Sequence, residues 1–241
     1  MKANEPHEYG IIKELHIGVH IRMHPVSSCL NDQIEEAVNL LSSGGVVAVP
    51  TDTLYGLAAS GLNDSAVERV FQIKRRSLDM AIPLLLADIQ QLDTYCIDIP
   101  EVAYTIVHHF WPGGLTIILK KSPEIPSIVS AGGNTIAVRI PDHEVPRAIS
   151  RKLGAPITGT SANISGHPEL ATSDEVVSSI GDKIDMVVRS KSTPGHTPLG
   201  VGSTILNLAS EVPKILRTGA VAKKDIEVVC GYPIANAEGL S

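Results

Sequence analysis

Lys74 and Arg76 flank Arg75 at the end of a helical segment, and Arg139 closes an apolar run as Arg139-Ile140-Pro141-Asp142-His143. Cations so placed can hold phosphate or carboxylate oxygens. The plainer alternatives are a solvated helix end, which favours positive charge anyway, and a snorkelling arginine. In an extended exit Lys74 and Arg76, being alternate, point the same way. Hydroxyls crowd two further segments. Residues 50–57 read PTDTLYGL directly after an apolar run, which gathers threonines, a carboxylate and a phenol where an α/β sheet meets its ligands. A polar turn with a capping Thr or Asp is the alternative reading. Residues 159–166 read GTSANISG, close to the G-x-S-x-G nucleophile elbow, but Asn163 stands in place of the second glycine. A polar, proline-containing stretch also follows where an elbow needs a helix, which argues against a serine hydrolase. A small-residue loop offering hydroxyls and N–H groups suits phosphate oxygens better. WPGGLT at 111–116 predicts a rigid corner feeding a strand, and GVGST at 200–204 and RTGA at 217–220 each set a polar group beside a strand end. Neither G-x-x-x-x-G-K-[ST] nor G-x-G-x-x-G occurs, so a P-loop or dinucleotide fingerprint is not supported.

The elements that must position these segments alternate in period. Residues 17–23 alternate as a strand, Asn31 or Asp32 can cap a helix with Ile34, Ala37, Val38 and Leu41 on one face, and Gly44-Gly45 stops it. Residues 46–49 read as a buried strand, and Asp64 can cap a second helix turning Ala66, Val67, Val70 and Phe71 inward. Residues 84–86 form an apolar strand and 100–110 a third helix; strands follow near 115–119 and 135–140. A helix at 144–153, a strand near 156–158, a loop at 159–172 and a helix at 174–180 come next. Strands near 184–189, 203–208 and 213–217 precede a closing helix near 222–230. Such alternation predicts an α/β layer structure with a mixed sheet, and with no repeat or linker the whole chain, 1–241, reads as one domain. His16, His20 and His24 lie at every second position of the first strand, which predicts a solvated face; no metal cage is evident.

Composition bounds the function. With 241 residues, 43% hydrophobic and 19% charged, the chain is long enough to bury a real core. Eight Phe, Tyr and Trp residues are too few for a binder built on stacked rings. Twenty Lys and Arg against 26 Asp and Glu, a net charge of −6, argue against a protein whose main task is coating nucleic acid, although a local basic pocket remains open. Cys29, Cys96 and Cys230 form no CxxC pair and predict neither disulfide framework nor zinc ribbon. The first ten residues lack the apolar core of a signal peptide, and no run approaches the ~20 apolar residues of a membrane span. A soluble, cytoplasmic protein without membrane association is expected.

Taken in order, PTDTLYGL, KRR, WPGGLT, VRIPDH, TSANISG, GVGSTI and LRTGA resemble the signatures of the YrdC family, the L-threonylcarbamoyladenylate synthases, from about residue 30 to 220. The resemblance implies a twisted, mixed α/β sheet flanked by helices around a large, open, positively lined cavity. It also implies a nucleotidyltransferase reaction, in which L-threonine, bicarbonate and ATP, with Mg²⁺ on the triphosphate, give threonylcarbamoyl-AMP and pyrophosphate. A separate threonylcarbamoyl transferase complex then modifies tRNA beside the anticodon. By that resemblance Lys74 and Arg76 are the catalytic K-x-R pair on the ATP phosphates, and Thr116, Ser161, Asn163 and Arg217 complete the nucleotide site. Thr51, Gly159 and Ser203 touch threonine, Arg139 takes its carboxylate, and Tyr55 shapes that end.

Three positions depart from the family pattern. Met80-Ala81-Ile82 stand where Lys-Pro-Leu is common, Gly114 replaces a Pro, and Gly202 replaces a Glu. Longer members add a C-terminal domain, for which the stretch after Gly219 is too short, so the single-domain form is expected. Two other readings stand beside the synthase. One is a divergent relative acting as a nucleotide- or double-stranded-RNA-binding module; the other is a carbamoyl-transferring relative of the hydrogenase-maturation type, whose extra zinc-finger-like and acylphosphatase parts are missing.

Overall fold

The computed structural model describes residues 22–23, 29–189 and 201–236. The histidine-bearing strand expected at 17–23 lies mostly outside them, as do His16, His20, His24 and Gly200. Its end is strand β1 (Arg22–Met23), followed by helix α1 (Leu30–Ser42) and β2 (Val47–Val49). Neither Asn31 nor Asp32 caps α1; the helix begins earlier, at Leu30, which packs against the core, and the cap position falls on Cys29, which makes no side-chain cap bond. Asp32 instead sits in the first turn, where the helix dipole favours it.

Strand β3 (Gly56–Ala58) leads to helix α2 (Asp64–Lys74). Its cap is Asn63 and not Asp64: the Asn63 side chain accepts the Ala66 N–H at 3.1 Å, leaving Asp64 in the first turn. Ala66, Val67, Val70 and Phe71 face inward as their spacing predicts, and so does Lys74. Strand β4 (Leu84–Leu85), helix α3 (Gln90–Tyr95), β5 (Cys96–Ile97), helix α4 (Glu101–Phe110), β6 (Leu115–Lys121) and β7 (Thr135–Arg139) follow. After helix α5 (Glu144–Leu153) come β8 (Ile157–Thr158), β9 (Thr160–Ser161), helix α6 (Ser173–Ile180) and β10 (Met186–Val187). Strands β11 (Thr204–Asn207) and β12 (Lys214–Arg217), helix α7 (Lys223–Cys230) and β13 (Ala235–Asn236) close the described chain. Strands β3, β5 and β9 and helix α3 escape a periodicity reading because they span at most six residues.

The expected mixed sheet is present as two sheets. One runs β1-β10-β2-β3-β9; the other runs β13-β12-β11-β6-β7-β4-β8, with β5 also on β6. Both mix parallel and antiparallel pairs. A bridge between Ser60 and Ile157 joins them, reinforced by the Thr158 hydroxyl, which accepts the Ala59 N–H and donates to the Leu57 carbonyl.

Burial explains both the apolar runs and the polar interruptions. Val46 and Ala48 pack into the main core with α2, α4, α6 and α7, while Val47 and Val49 pack on the other side with α1 and α5. A strand covered on both faces reads as a continuous apolar run. In the second sheet Leu115, Ile117, Leu119, Ile136, Val138, Leu206 and Ile215 enter the main core. The alternate positions, Thr116, Ile118, Ala137, Arg139 and Ile205, face a cavity instead. That split, core on one face and cavity on the other, positions the functional side chains.

Candidate functional site

The cavity holds about 300 Å³, at the lower end of the range for small-molecule sites. Nine of the predicted residues line it: Thr51, Tyr55, Arg76, Thr116, Arg139, Gly159, Ser161, Ser203 and Arg217. Lys74 and Asn163 do not line it, but they bond to each other directly behind Ser161. Segments far apart in the chain thus converge on one volume.

The first wall is the 51–55 turn against the end of β7. The Thr51 hydroxyl accepts the N–H groups of Thr53 and Leu54 and donates to the Leu54 carbonyl at 2.6 Å, so it closes its own turn. That turn sets Asp52 and Thr53 against Arg139. The Arg139 guanidinium donates from Nη2 to Asp52 Oδ1 at 2.6 Å, from Nη1 to the Thr53 hydroxyl at 3.0 Å and from Nε to the Gly113 carbonyl at 2.8 Å. Only 7% of the Arg139 side chain and 9% of Asp52 are exposed, which overturns the snorkelling alternative. Burial pulls the Arg139 pKa below its ordinary value; Asp52 opposes this and the neighbouring Arg217 adds to it. Tyr55 is buried, its hydroxyl donating to the Val188 carbonyl and its carbonyl accepting from Ala162.

The second wall joins β6, β11 and β12. The Thr116 and Ser203 hydroxyls lie 2.7 Å apart, and Arg217 donates to the Ser203 carbonyl through Nε and Nη2 and to its hydroxyl at 3.1 Å. Ser203, expected with threonine, therefore shares one network with Thr116 and Arg217, expected with the nucleotide. A Cβ on Gly202 would come within 3.1 Å of Arg217 Nη2, so the small residue there leaves room for the guanidinium. A Cβ on Gly114 would meet that of Ala220 at 2.6 Å, which is why the WPGG corner can seat the β6 start against the 220 turn. Between the two walls, Ile118, Ala137 and Ile205 form an apolar floor.

The third wall is the 159–167 loop on the end of α2. The Lys74 ammonium donates to the Ser161 carbonyl at 2.5 Å, the Asn163 carbonyl at 2.8 Å and Asn163 Oδ1 at 3.0 Å. Asn163 Oδ1 also accepts the Ser161 hydroxyl, and its amide nitrogen donates to the His167 carbonyl. Burial first and the nearby Arg76 second, partly offset by Glu169, together lower the Lys74 pKa to about 8. Arg76 donates instead to the Ala81 carbonyl at 2.8 Å, and partial burial lowers its pKa. A Cβ on Gly159 would strike the Leu85 side chain at 2.6 Å, so the loop approaches β4 only with glycine there.

This arrangement suits anions. Arg76, Arg139 and Arg217 reach one cavity from three separate elements, among hydroxyls. No nucleophile elbow forms: Ser161 ends a strand, its hydroxyl bonds to Asn163, and the next helix starts only at Ser173. Among the described residues no group of three or more His, Cys, Asp and Glu is placed to hold a metal ion. Cys29, Cys96 and Cys230 are free thiols, and burial pushes Cys96 up to about 12. No described helix is long and apolar enough to cross a membrane. The sequence reading missed Thr53, Glu169 and the apolar floor. The floor was recoverable, because Thr116–Ile118 and Ala137–Arg139 are period-two pairs on strands; Glu169 lies in an irregular loop and carries no such signal.

A family profile named Sua5_yciO_yrdC, described as Telomere recombination, matches residues 39–219. A protein named threonylcarbamoyl-AMP synthase from Bacillus subtilis (strain 168) is 40% identical over 210 residues, covering 87% of this chain and 59% of that protein. One of the same name from Pyrococcus abyssi is 36% identical over 207 residues, covering 84% and 60%. The chain thus spans about three fifths of the length of these two relatives. A threonylcarbamoyl-AMP synthase from Vibrio cholerae is 35% identical over 171 residues, covering 70% of this chain and 91% of that protein. The crystal structure of P. abyssi Sua5 complexed with L-threonine superposes with a TM-score of 0.81 at 35% identity, over 87% of this chain and 61% of that one. E. coli YciO shares the fold, with a TM-score of 0.74 at 24% identity.

Proposed function

This chain belongs to the Sua5/YciO/YrdC family, and from that membership we propose that it condenses L-threonine, bicarbonate and ATP into threonylcarbamoyl-AMP and pyrophosphate. The observation that carries the proposal is the convergence of Arg76, Arg139 and Arg217 on one cavity beside the Thr116–Ser203 hydroxyl pair. A triphosphate and an amino-acid carboxylate are the anions this reaction must hold at once.

Bicarbonate takes up a proton and loses water to give CO₂; the threonine nitrogen bonds to its carbon and loses a proton, forming a carbamate. A carbamate oxygen then attacks the α-phosphorus as the bond to pyrophosphate breaks. No protein nucleophile takes part, so positioning and charge stabilisation carry the rate. Arg217, Thr116 and Ser203 face the phosphates with Arg76 opposite them, and the apolar floor takes the flat adenine. Ser161 lies beside the nucleotide on the loop that Lys74 and Asn163 hold in shape, its own hydroxyl donating to Asn163. Arg139 receives the threonine carboxylate, with Thr51, Tyr55 and Gly159 shaping that end. Mg²⁺ arrives as part of the nucleotide substrate. The cavity wall carries Glu169 as its carboxylate among guanidiniums and hydroxyls, a donor set that fits a metal already on phosphate oxygens better than a bare ion. The walls draw on residues from 51 to 217, which supports one catalytic unit over that span of the single domain read for 1–241. The product passes to a separate transferase that modifies tRNA.

Pyrophosphate release with mass spectrometry of the product tests this. Release that needs both L-threonine and bicarbonate, with threonylcarbamoyl-AMP formed, is the expected result. ATP binding without threonine-dependent turnover overturns the synthase reading, and RNA binding with a steep salt dependence would then favour the binding-module alternative.

A further inference from the structure

We propose that Asp52 is a positioning residue of this site: its carboxylate fixes the Arg139 guanidinium so that the remaining N–H groups meet the carboxylate of the amino-acid substrate. The inference rests on the function proposed above and extends it to a residue that does not itself line the cavity.

Arginine carries five N–H donors in a rigid plane. Three of the Arg139 bonds are made by the protein: Nε to Gly113, Nη1 to Thr53 and Nη2 to Asp52. Two donors, one on each terminal nitrogen, are left on a side chain that does line the cavity. The three acceptors come from two segments, Asp52 and Thr53 from the 51–55 turn and Gly113 from the 111–116 corner, and together they determine both the position and the tilt of the plane. Asp52 is the only charged member of the set. Its own placement is secured from behind, because the Thr51 hydroxyl closes the turn on the N–H groups of Thr53 and Leu54.

Charge explains why a neutral acceptor would not serve. Arg139 is buried, and a second cation, Arg217, lies near enough to act on it. An unpaired guanidinium in that setting is drawn away from Arg217 and out towards water. Asp52 holds it in place, at 2.6 Å. The carboxylate also cancels much of the charge, so the incoming anion is selected by the geometry of two N–H groups more than by net attraction. A planar carboxylate meets that geometry.

The test is steady-state pyrophosphate release by the full chain with Asp52→Asn, which keeps the size and loses the charge. L-threonine KM should rise at least tenfold while ATP KM changes less than threefold. Asp52→Glu should recover part of the loss. Arg139→Gln should raise threonine KM by itself, and adding Asp52→Asn to it should cause no further rise. A purely structural staple would instead lower the melting temperature and scale all parameters with the folded fraction. If Asp52→Asn does not fold, Thr53→Val removes the neutral anchor on Nη1 and should shift threonine KM the same way, by less. Unchanged threonine KM in the folded variants, an equal rise for ATP, or additive effects in the double variant overturn the inference while leaving an active wild type. Wild-type protein without threonine-dependent release overturns the proposed function and this inference together.

Discussion

Lys74 and Arg76 stand two positions apart in one motif and occupy opposite environments. Lys74 is 2% exposed and bonds to three oxygens of the 161–163 loop, whereas Arg76 is half-buried, lines the cavity and grips only the 80–81 backbone. The residue between them causes the difference. Arg75 adopts a left-handed conformation (φ 50°) that ends α2, with the Arg76 N–H returning to the Phe71 carbonyl. Lys74 thus remains on the helical stripe of Val67, Val70 and Phe71, while Arg76 leaves it. Alternate residues share a face in a strand, but a left-handed residue between them separates their roles. On this comparison Lys74 builds the loop, and Arg76 faces the cavity.

The largest expected effect is that of Lys74→Met. It leaves the Ser161 and Asn163 carbonyls without the ammonium donor and removes one of the two donors on Asn163 Oδ1, at about 1–3 kcal/mol for each buried group left unsatisfied. Turnover should fall about 100-fold or more, with a clear drop in melting temperature by calorimetry. A variant that melts like the wild type and merely raises ATP KM would place Lys74 with Arg76 and break the comparison. Arg76→Ala comes next: ATP KM should rise roughly 10-fold, the loss of one or two charge-assisted bonds, with the melting temperature nearly unchanged. A strongly destabilised Arg76→Ala would show that its grip on Ala81 matters more than its cavity face. Ser161→Ala should cost less, about fivefold in turnover, because its hydroxyl donates to Asn163 and the loop keeps its Lys74 bonds. Complete loss, with labelling of Ser161 by a serine-reactive probe, would revive a nucleophile there.

Much of this was legible in the sequence, and the limits have physical causes. Helix α5 and strands β6 and β7 match their expected spans closely, because runs of ten, seven and five residues show their period clearly. Arg139 announced itself as a charge at the end of an apolar strand. Its partner could not be read, since Asp52 lies 87 positions away and only the fold brings them to 2.6 Å. The helix caps shifted by one to three positions because neighbouring residues, Leu30 and Asn63, had packing or hydrogen-bonding reasons to set the boundary. Spacing alone does not reveal the left-handed Arg75, which sets Lys74 and Arg76 in different environments.

The smallest effect probes whether the two cations sense each other. The Lys74 pKa lies at about 8 through burial first and Arg76 second, below its ordinary value of 10.5. Between these values the unfolded chain holds the proton and the folded chain has released it, so unfolding takes up protons and stability climbs with rising pH. Below about 8 both states are protonated and the slope from this group vanishes. Urea-unfolding free energies for the wild type should therefore rise from about pH 8 to about pH 10, and Lys74→Met should lose that part of the slope. Arg76→Ala removes the like charge, so the Lys74 pKa should move up and the rise should begin at higher pH. The displacement should be under about one pH unit, worth less than ~1.4 kcal/mol, because burial is the larger cause. Superposable curves for Arg76→Ala and wild type would mean that Arg75 separates the two cations electrostatically as well as in role.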